Sequence, residues 1–287
     1  MKPIEECTIG IVGLGLMGGA VAMALRHCGA ASPDHLIACD KDEETLALAL
    51  AQGVIDEGFA TPGEIVKRSD FIFLCLNPST LLKFWESWAA FFKSGALITD
   101  IAGIKVNIVA ALEKNLRPDL DFIPGHPMAG SEKGGFANAG HCNFKGKNYI
   151  LTPLKRNKPE NLEFVKNLLY RMGFGRITET TPEEHDRKIA FTSQLCHVIA
   201  AALIDCEQDT QITRFGGGSF EDLTRIAMLN ASMWSEIFIE NKSELIKRIE
   251  QFEGSLDALK ALIANGSAHE LEARLGAVRE RRTIMKG

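Results

Sequence analysis

Short apolar runs, each closed by a glycine, a proline or an acid, recur through the first part of the chain. Thr8-Ile9-Gly10-Ile11-Val12 and Asp70-Phe71-Ile72-Phe73-Leu74-Cys75-Leu76 are nearly unbroken. A strand of that kind is covered on both faces, as in the middle of a parallel sheet. Residues 36–40, 96–100, 122–124, 148–152 and about 175–180 read as further strands. Helical spacing fills the intervals at 20–26, 43–52, 64–68 and 80–92, a stretch ending near Asn115, and 159–172. Strand and helix alternating in this way predict an α/β domain on a doubly wound parallel sheet.

The pattern changes at Thr181. Thr181 before Pro182 reads as a helix N-cap with proline at the first helical position. Beyond it every segment is helical by spacing: 183–209, 220–229, 233–240, 243–265 and 268–282. The expected boundary therefore divides a sheet domain, residues 1–181, from an all-helical C-terminal domain, residues 182–287. Residues 189–203 are apolar almost all round, which marks a helix buried on every side or against a partner subunit.

Composition narrows the class without naming a function. A chain of 287 residues holds one large or two modest domains. Its 46% hydrophobic and 24% charged residues are those of a soluble globular protein. A net charge of −5 gives no overall drive toward nucleic acid or membrane. The basic residues Arg274, Arg279, Arg281 and Arg282 alternate with Glu270, Glu272 and Glu280, which reads as a solvated helix face. Seven cysteines without a Cys-x-x-Cys pair, and no secretory leader, read as free thiols in a reducing cytoplasm. No apolar run is expected to approach the roughly 18 residues of a membrane span. The histidines lack metal-ligand spacing, so no metal is expected.

The first apolar run ends in Gly13-Leu14-Gly15-Leu16-Met17-Gly18 and opens a helix. In the dinucleotide fingerprint Gly13 makes the tight turn, Gly15 lets a pyrophosphate approach the backbone, and Gly18 packs helix on strand. Unpaired N–H groups at the helix start, over Leu16 and Met17, face the phosphates. The second strand ends at Asp40, about 20 residues on, where an acid takes ribose hydroxyls and repels a 2′-phosphate. That favours NAD over NADP, with Lys41 the one residue able to soften the preference. Asp40 could instead cap the following helix, a task open equally to Asp42 or Thr45. Leu76 and Asn77, at the carboxyl end of another strand, are expected to line the same cleft, as is Gly103 in Ile101-Ala102-Gly103-Ile104-Lys105.

One further stretch concentrates chemistry: Gly125-His126-Pro127-Met128-Ala129-Gly130-Ser131-Glu132-Lys133-Gly134-Gly135. It has too few apolar residues for a core. A loop of this kind, placed by a rigid strand, is where catalytic groups tend to sit. His126 is the candidate base.

Taken with Gly216-Gly217-Gly218-Ser219-Phe220-Glu221-Asp222-Leu223-Thr224-Arg225-Ile226-Ala227 and Met233-Trp234, this stretch resembles the signatures of the prephenate dehydrogenase family, which includes arogenate-using and cyclohexadienyl relatives. The resemblance covers nearly the whole chain. It implies a Rossmann-type fold and NAD-dependent oxidative decarboxylation of a cyclohexadiene, prephenate or arogenate, in tyrosine biosynthesis. It implies that His126 is the catalytic base, that Arg225 binds a substrate carboxylate, and that His197 faces the substrate. Gly217 would offer its backbone N–H to an anion. Ser131 and Glu132 match residues at the substrate mouth, with a turn or capping role equally open, and Trp234 lies either near the substrate or in the helical core. Ser219 and Asp222 have the spacing to cap a helix. The chain departs from the family at Gly103, where a serine is expected, and at Gln194 and Cys196. A homodimer through the helical domain is expected. The competing readings are another β-hydroxyacid-type dehydrogenase, which leaves residues 125–135 unexplained, and a non-catalytic dinucleotide-binding regulator, which needs neither base nor anion clamp.

Overall fold

A computed structural model describes residues 2–131 and 133–285. In chain order it runs β1 (Ile9–Val12), α1 (Leu16–His27), β2 (Leu36–Cys39), α2 (Glu43–Ala51), β3 (Glu57–Phe59), α3 (Gly63–Arg68), β4 (Phe71–Leu74), α4 (Pro78–Trp88), β5 (Leu97–Asp100), α5 (Val106–Glu113) and β6 (Asp121–Phe122). These six strands form one parallel sheet in the order β3-β2-β1-β4-β5-β6. This is a Rossmann-like sheet, and its order reverses between β1 and β4. Ligands of open α/β sheets bind outside the strand carboxyl ends at such a switch point. Here those ends lead into Gly13 and into Cys75-Leu76-Asn77.

The pleat sends successive residues to two cores. Ile9, Ile11, Phe71 and Phe73 join the cluster on one face, while Ile72, Leu74 and Ile98 join the cluster on the other. β3 is absent from the sequence reading because Glu57-Gly58-Phe59 is short and half-buried at the sheet edge. Its Glu57 pairs with Arg68 instead of contributing to a core.

The sheet ends earlier than the apolar run 122–124 predicts. The chain leaves it after Phe122 and starts β7 (Gly125–Pro127), which joins β8 (Asn148–Leu151) and, after α6 (Pro159–Arg171), β9 (Arg176–Glu179) in a separate three-stranded sheet. β7 is antiparallel to β8, with His126 opposite Ile150, and β8 is parallel to β9. His126 therefore stands on a strand, where a loop was expected. Proline is tolerated at Pro127 because β7 is an edge strand.

Thr181 caps α7 (Pro182–Ile189) by accepting the Glu184 amide, with Pro182 at the first helical position. The single helix expected over 183–209 is α7, a π-helical turn at Ala190–Gln194, and α8 (Leu195–Asp205). By length and composition the run Pro182–Asp205 could cross a membrane, which corrects the expectation that no run comes near. Its polar side chains argue for packing in protein: His185, Asp186 and Gln194 are buried, and Asp186 and Gln194 bond to other elements of the chain. Then follow α9 (Gly218–Thr224), α10 (Ala231–Glu240), α11 (Lys242–Ala264) and α12 (Ala268–Ile284). The chain separates into two compact units, Met1–Asn241 and Lys242–Gly287. In the second, α11 packs on α12 across a turn at Gly266, whose φ of 65° suits glycine.

Candidate active site

The glycines of the first turn each have a separate physical task. Gly13 has φ +89°, and a Cβ there would lie 2.4 Å from the Cys75 carbonyl oxygen. A Cβ on Gly18 would fall 1.9 Å from the Gly13 carbonyl oxygen, so α1 starts hard against β1. Gly15 has nothing within 4 Å of its Cβ position, which leaves its backbone open to a ligand. The first amides of α1, through Leu16, Met17 and Gly18, have no intrahelical acceptor. Asp40 Oδ2 accepts the Leu14 amide at 2.6 Å, which fixes the carboxylate at the rim of this turn. The competing role falls to Asp42, which caps α2 by accepting the Glu44 amide and the Thr45 hydroxyl. Leu76 packs beside Gly13, and Asn77 leads into α4, whose Ser79 amide donates to Glu236 of α10. Open backbone at Gly15, a helix start and a fixed acid fit a dinucleotide.

His126 is partly buried and pinned by its neighbours in the chain. A Cβ on Gly125 would sit 2.5 Å from the Tyr149 ring, so only glycine lets β7 pack this closely on β8. The Gly125 amide donates to Asp100 Oδ1 at 3.1 Å. Asp100 Oδ2 accepts the Ala102 amide at 2.9 Å and the Lys105 ammonium at 2.5 Å, a pair whose side chains are both 0% exposed. Burial pulls the Lys105 pKa down from its ordinary value, and the Asp100 charge opposes that. One carboxylate thus ties the end of β5, the segment 101–105 and the start of β7 together. His126 Nδ1 lies 2.9 Å from His185 Nε2, and His185 Nδ1 lies 2.7 Å from Asp186 Oδ1. Burial, then the nearby His185 and Lys105, push the His126 pKa well below the ordinary histidine value. The ring is neutral at working pH and able to take a proton.

A second cluster lies on the helical side. His197 on α8 donates Nδ1–H to the Ser193 carbonyl at 2.9 Å and stacks on Trp234, centroids 3.7 Å apart. Burial lowers the His197 pKa, the Ser193 bond opposes this, and the positive charge of Arg225, on the turn Arg225–Ala227 against which α8 packs, lowers it further. Ile237, one turn beyond Trp234 on α10, reaches within 3.7 Å of where a Gly103 Cβ would stand, and so does His126 Nε2. Gly103, His126, Trp234, His197 and Arg225 therefore fall around one region. Ser131 is elsewhere engaged: its hydroxyl accepts the Lys133 amide in a turn. Glu132 lies outside the described residues. Gly217 is the N-cap residue of α9, and the capping expected of Ser219 and Asp222 is not formed, because the helix starts at Gly218 and takes Ser219 into its first turn.

Comparison with known proteins matches both parts of the chain. The family model described as the prephenate dehydrogenase nucleotide-binding domain matches residues 21–178, and that described as the prephenate dehydrogenase dimerization domain matches residues 181–277. The prephenate dehydrogenase of Bacillus subtilis is 31% identical over 92% of this chain and 72% of its own length. The chain belongs to the prephenate dehydrogenase family. Another member, the cyclohexadienyl dehydrogenase of Zymomonas mobilis, is 31% identical over 90% of this chain and 88% of that one. The crystal structure of prephenate dehydrogenase from A. aeolicus, in complex with hydroxyphenyl propionate and NAD+, matches with a TM-score of 0.85 at 32% identity, covering 97% of this chain and 98% of that one.

Within this family member, sequence reasoning missed His185, Asp186, Asp100 and Lys105. His185 and Asp186 read as an ordinary polar helix start. Asp100 and Lys105 read as a strand end and a loop. Only a long-range contact joins them: the Lys105 and Val106 amides donate to Asp186, both at 2.8 Å. Gln194, another departure from the family pattern, is buried and accepts from Asn241, which also donates to the Asp186 carbonyl.

Proposed function

We propose that this protein is an NAD-dependent prephenate dehydrogenase, which converts prephenate to 4-hydroxyphenylpyruvate for tyrosine synthesis in the cytoplasm. The observation that carries this reading is a partly buried histidine, its pKa held well below the ordinary value, whose Nε2 faces Gly103. Gly13, Gly15 and Gly18 admit the cofactor diphosphate, and Asp40 takes the ribose hydroxyls and disfavours a 2′-phosphate. NAD, when bound, supplies the hydride acceptor, and the ring carbonyl that hydride loss creates draws the electrons of the departing carboxylate. His126 accepts the proton of the ring hydroxyl. Arg225 offers a planar fork to a substrate carboxylate, and His197 flanks it. Ser131 and Gly217 contact the substrate in this reading.

Residues 1–181 serve as the cofactor domain and residues 182–287 as the substrate and dimerisation domain. Leu203 and Ile204 on α8 are exposed in the single chain, which supports a homodimer through that domain. Sedimentation showing a monomer would remove the dimer from the proposal. Arogenate is the second reading, because one similar relative is a cyclohexadienyl dehydrogenase. The deciding assay follows NADH or NADPH formation with prephenate, arogenate and a 3-hydroxy acid, each with NAD and with NADP. Prephenate with NAD is expected to give the highest kcat/KM. Turnover of neither cyclohexadiene would overturn the proposal.

A further inference from the structure

Asp186 carries more hydrogen bonds than its place at a helix start requires. Its Oδ1 accepts the Lys105 amide and its Oδ2 the Val106 amide, both at 2.8 Å, which docks α7 onto the N-terminal turn of α5. The same Oδ1 lies 2.7 Å from His185 Nδ1. Facing a carboxylate, His185 Nδ1 bears the proton. The other nitrogen of a neutral imidazole is then an acceptor. That acceptor, Nε2, lies 2.9 Å from His126 Nδ1. His126 therefore donates from Nδ1, and its Nε2 is bare on the side of Gly103, where the position of a Cβ is 3.7 Å away.

Resting on the dehydrogenase reading above, we propose that His185 and Asp186 are positioning residues. They hold His126 in the tautomer whose Nε2 takes the substrate hydroxyl proton, and they share the charge that this step creates. The balance is simple. The substrate O–H bond breaks, an N–H bond forms at His126 Nε2, and the hydride of the same carbon goes to the oxidised nicotinamide of the proposed reaction. The His126 Nδ1 proton then moves along the 2.9 Å contact to His185 Nε2. His126 becomes neutral again, and His185 becomes cationic against the Asp186 carboxylate.

The charged surroundings favour that direction. His126 is faced by His185 and by the Lys105 ammonium, both of which oppose a positive charge on it. His185 is faced by Lys105 too, but Asp186 and Asp100 favour its charged form. Burial disfavours a cation on either ring. The carboxylates make His185 the less costly place for it.

The test reads the tautomer directly. Nitrogen NMR on protein labelled at the histidine rings is expected to show a signal with protonated Nδ1 and bare Nε2 that vanishes in His126→Asn. His185→Gln keeps an acceptor near the Nε2 position, whereas His185→Phe removes it. The Gln variant is expected to keep the His126 tautomer and to stay within about tenfold of wild-type kcat. The Phe variant is expected to lose the tautomer preference and about 10²–10⁴ in kcat, with KM and NAD affinity unchanged. An Nε2-protonated His126 in the wild type, or full turnover in His185→Phe, overturns the proposal. If His185→Phe fails to fold, the wild-type tautomer and the Gln variant still decide. A protein that shows the tautomer but turns over no cyclohexadiene would refute the substrate reading and leave the relay standing.

Discussion

Two histidines face the same region of this molecule from different surroundings. His126 stands on a short strand, its ring tied through His185 to the Asp186 carboxylate. His197 is half-buried on a helix, with one bond to its own backbone and one face on Trp234. The first arrangement ties the ring to a hydrogen-bonded chain whose further members, His185 and Asp186, are buried. The second sets the ring near the turn that carries the exposed Arg225. A chain of hydrogen bonds to a carboxylate suits the base, and a ring beside a cation suits recognition.

The contrast breaks most visibly at His126 itself. His126→Asn is expected to lower turnover by about 10²–10⁴, the usual worth of a general base, while NAD affinity stays put. Unchanged turnover in a steady-state assay would remove it from the chemistry. Next is the scaffold beneath it. Lys105→Met leaves Asp100 buried without its cation, and breaking such a pair typically costs about 3–5 kcal/mol. Denaturant titration should show that loss. A stability within about 1 kcal/mol of wild type would mean that the pair is dispensable.

Acid pH should separate His126 from an ordinary histidine. The folded pKa values of His126, His185 and His197 are all lowered from the usual 6.5, chiefly by burial. Below pH 6.5 the unfolded rings take up protons that the folded ones refuse. Stability contributed by these groups is therefore present above that pH and is lost as pH falls toward the folded values. The acid limb of kcat/KM should likewise lie below 6.5, and a limb above it would contradict the lowered pKa of His126. The smallest effect is expected at Gly103. A serine Cβ fits there at ordinary contact distance from His126 Nε2 and Ile237. One added hydrogen bond is worth about 1 kcal/mol, so Gly103→Ser should raise turnover by up to roughly fivefold. A tenfold loss instead would show that the cleft has no room for the hydroxyl.

The sequence made some of these features readable and hid others for definite reasons. The turn from Gly13 to Gly18 and the acid at Asp40 are legible because close backbone approach leaves glycine no substitute at Gly13 and Gly18, and because the sheet puts Asp40 beside them. The start of α7 is legible because Thr181 and Pro182 carry the capping signal in adjacent positions. The strand β7 is not, since Gly125-His126-Pro127 has no apolar alternation and takes its register from residues 149–151. His185 and Asp186 stay hidden because their partners, Lys105 and Val106, lie some eighty positions away in the chain. Local pattern finds a site built of turns, whereas contacts between residues so far apart in the chain need the fold.

The most direct measurement of the division between the two histidine surroundings is kcat and KM for prephenate in His126→Asn and Arg225→Gln, side by side with saturating NAD. The account predicts that His126→Asn lowers kcat with little change in KM, and that Arg225→Gln raises KM about tenfold or more. Equal losses in the same parameter, or full kcat in His126→Asn, would contradict it.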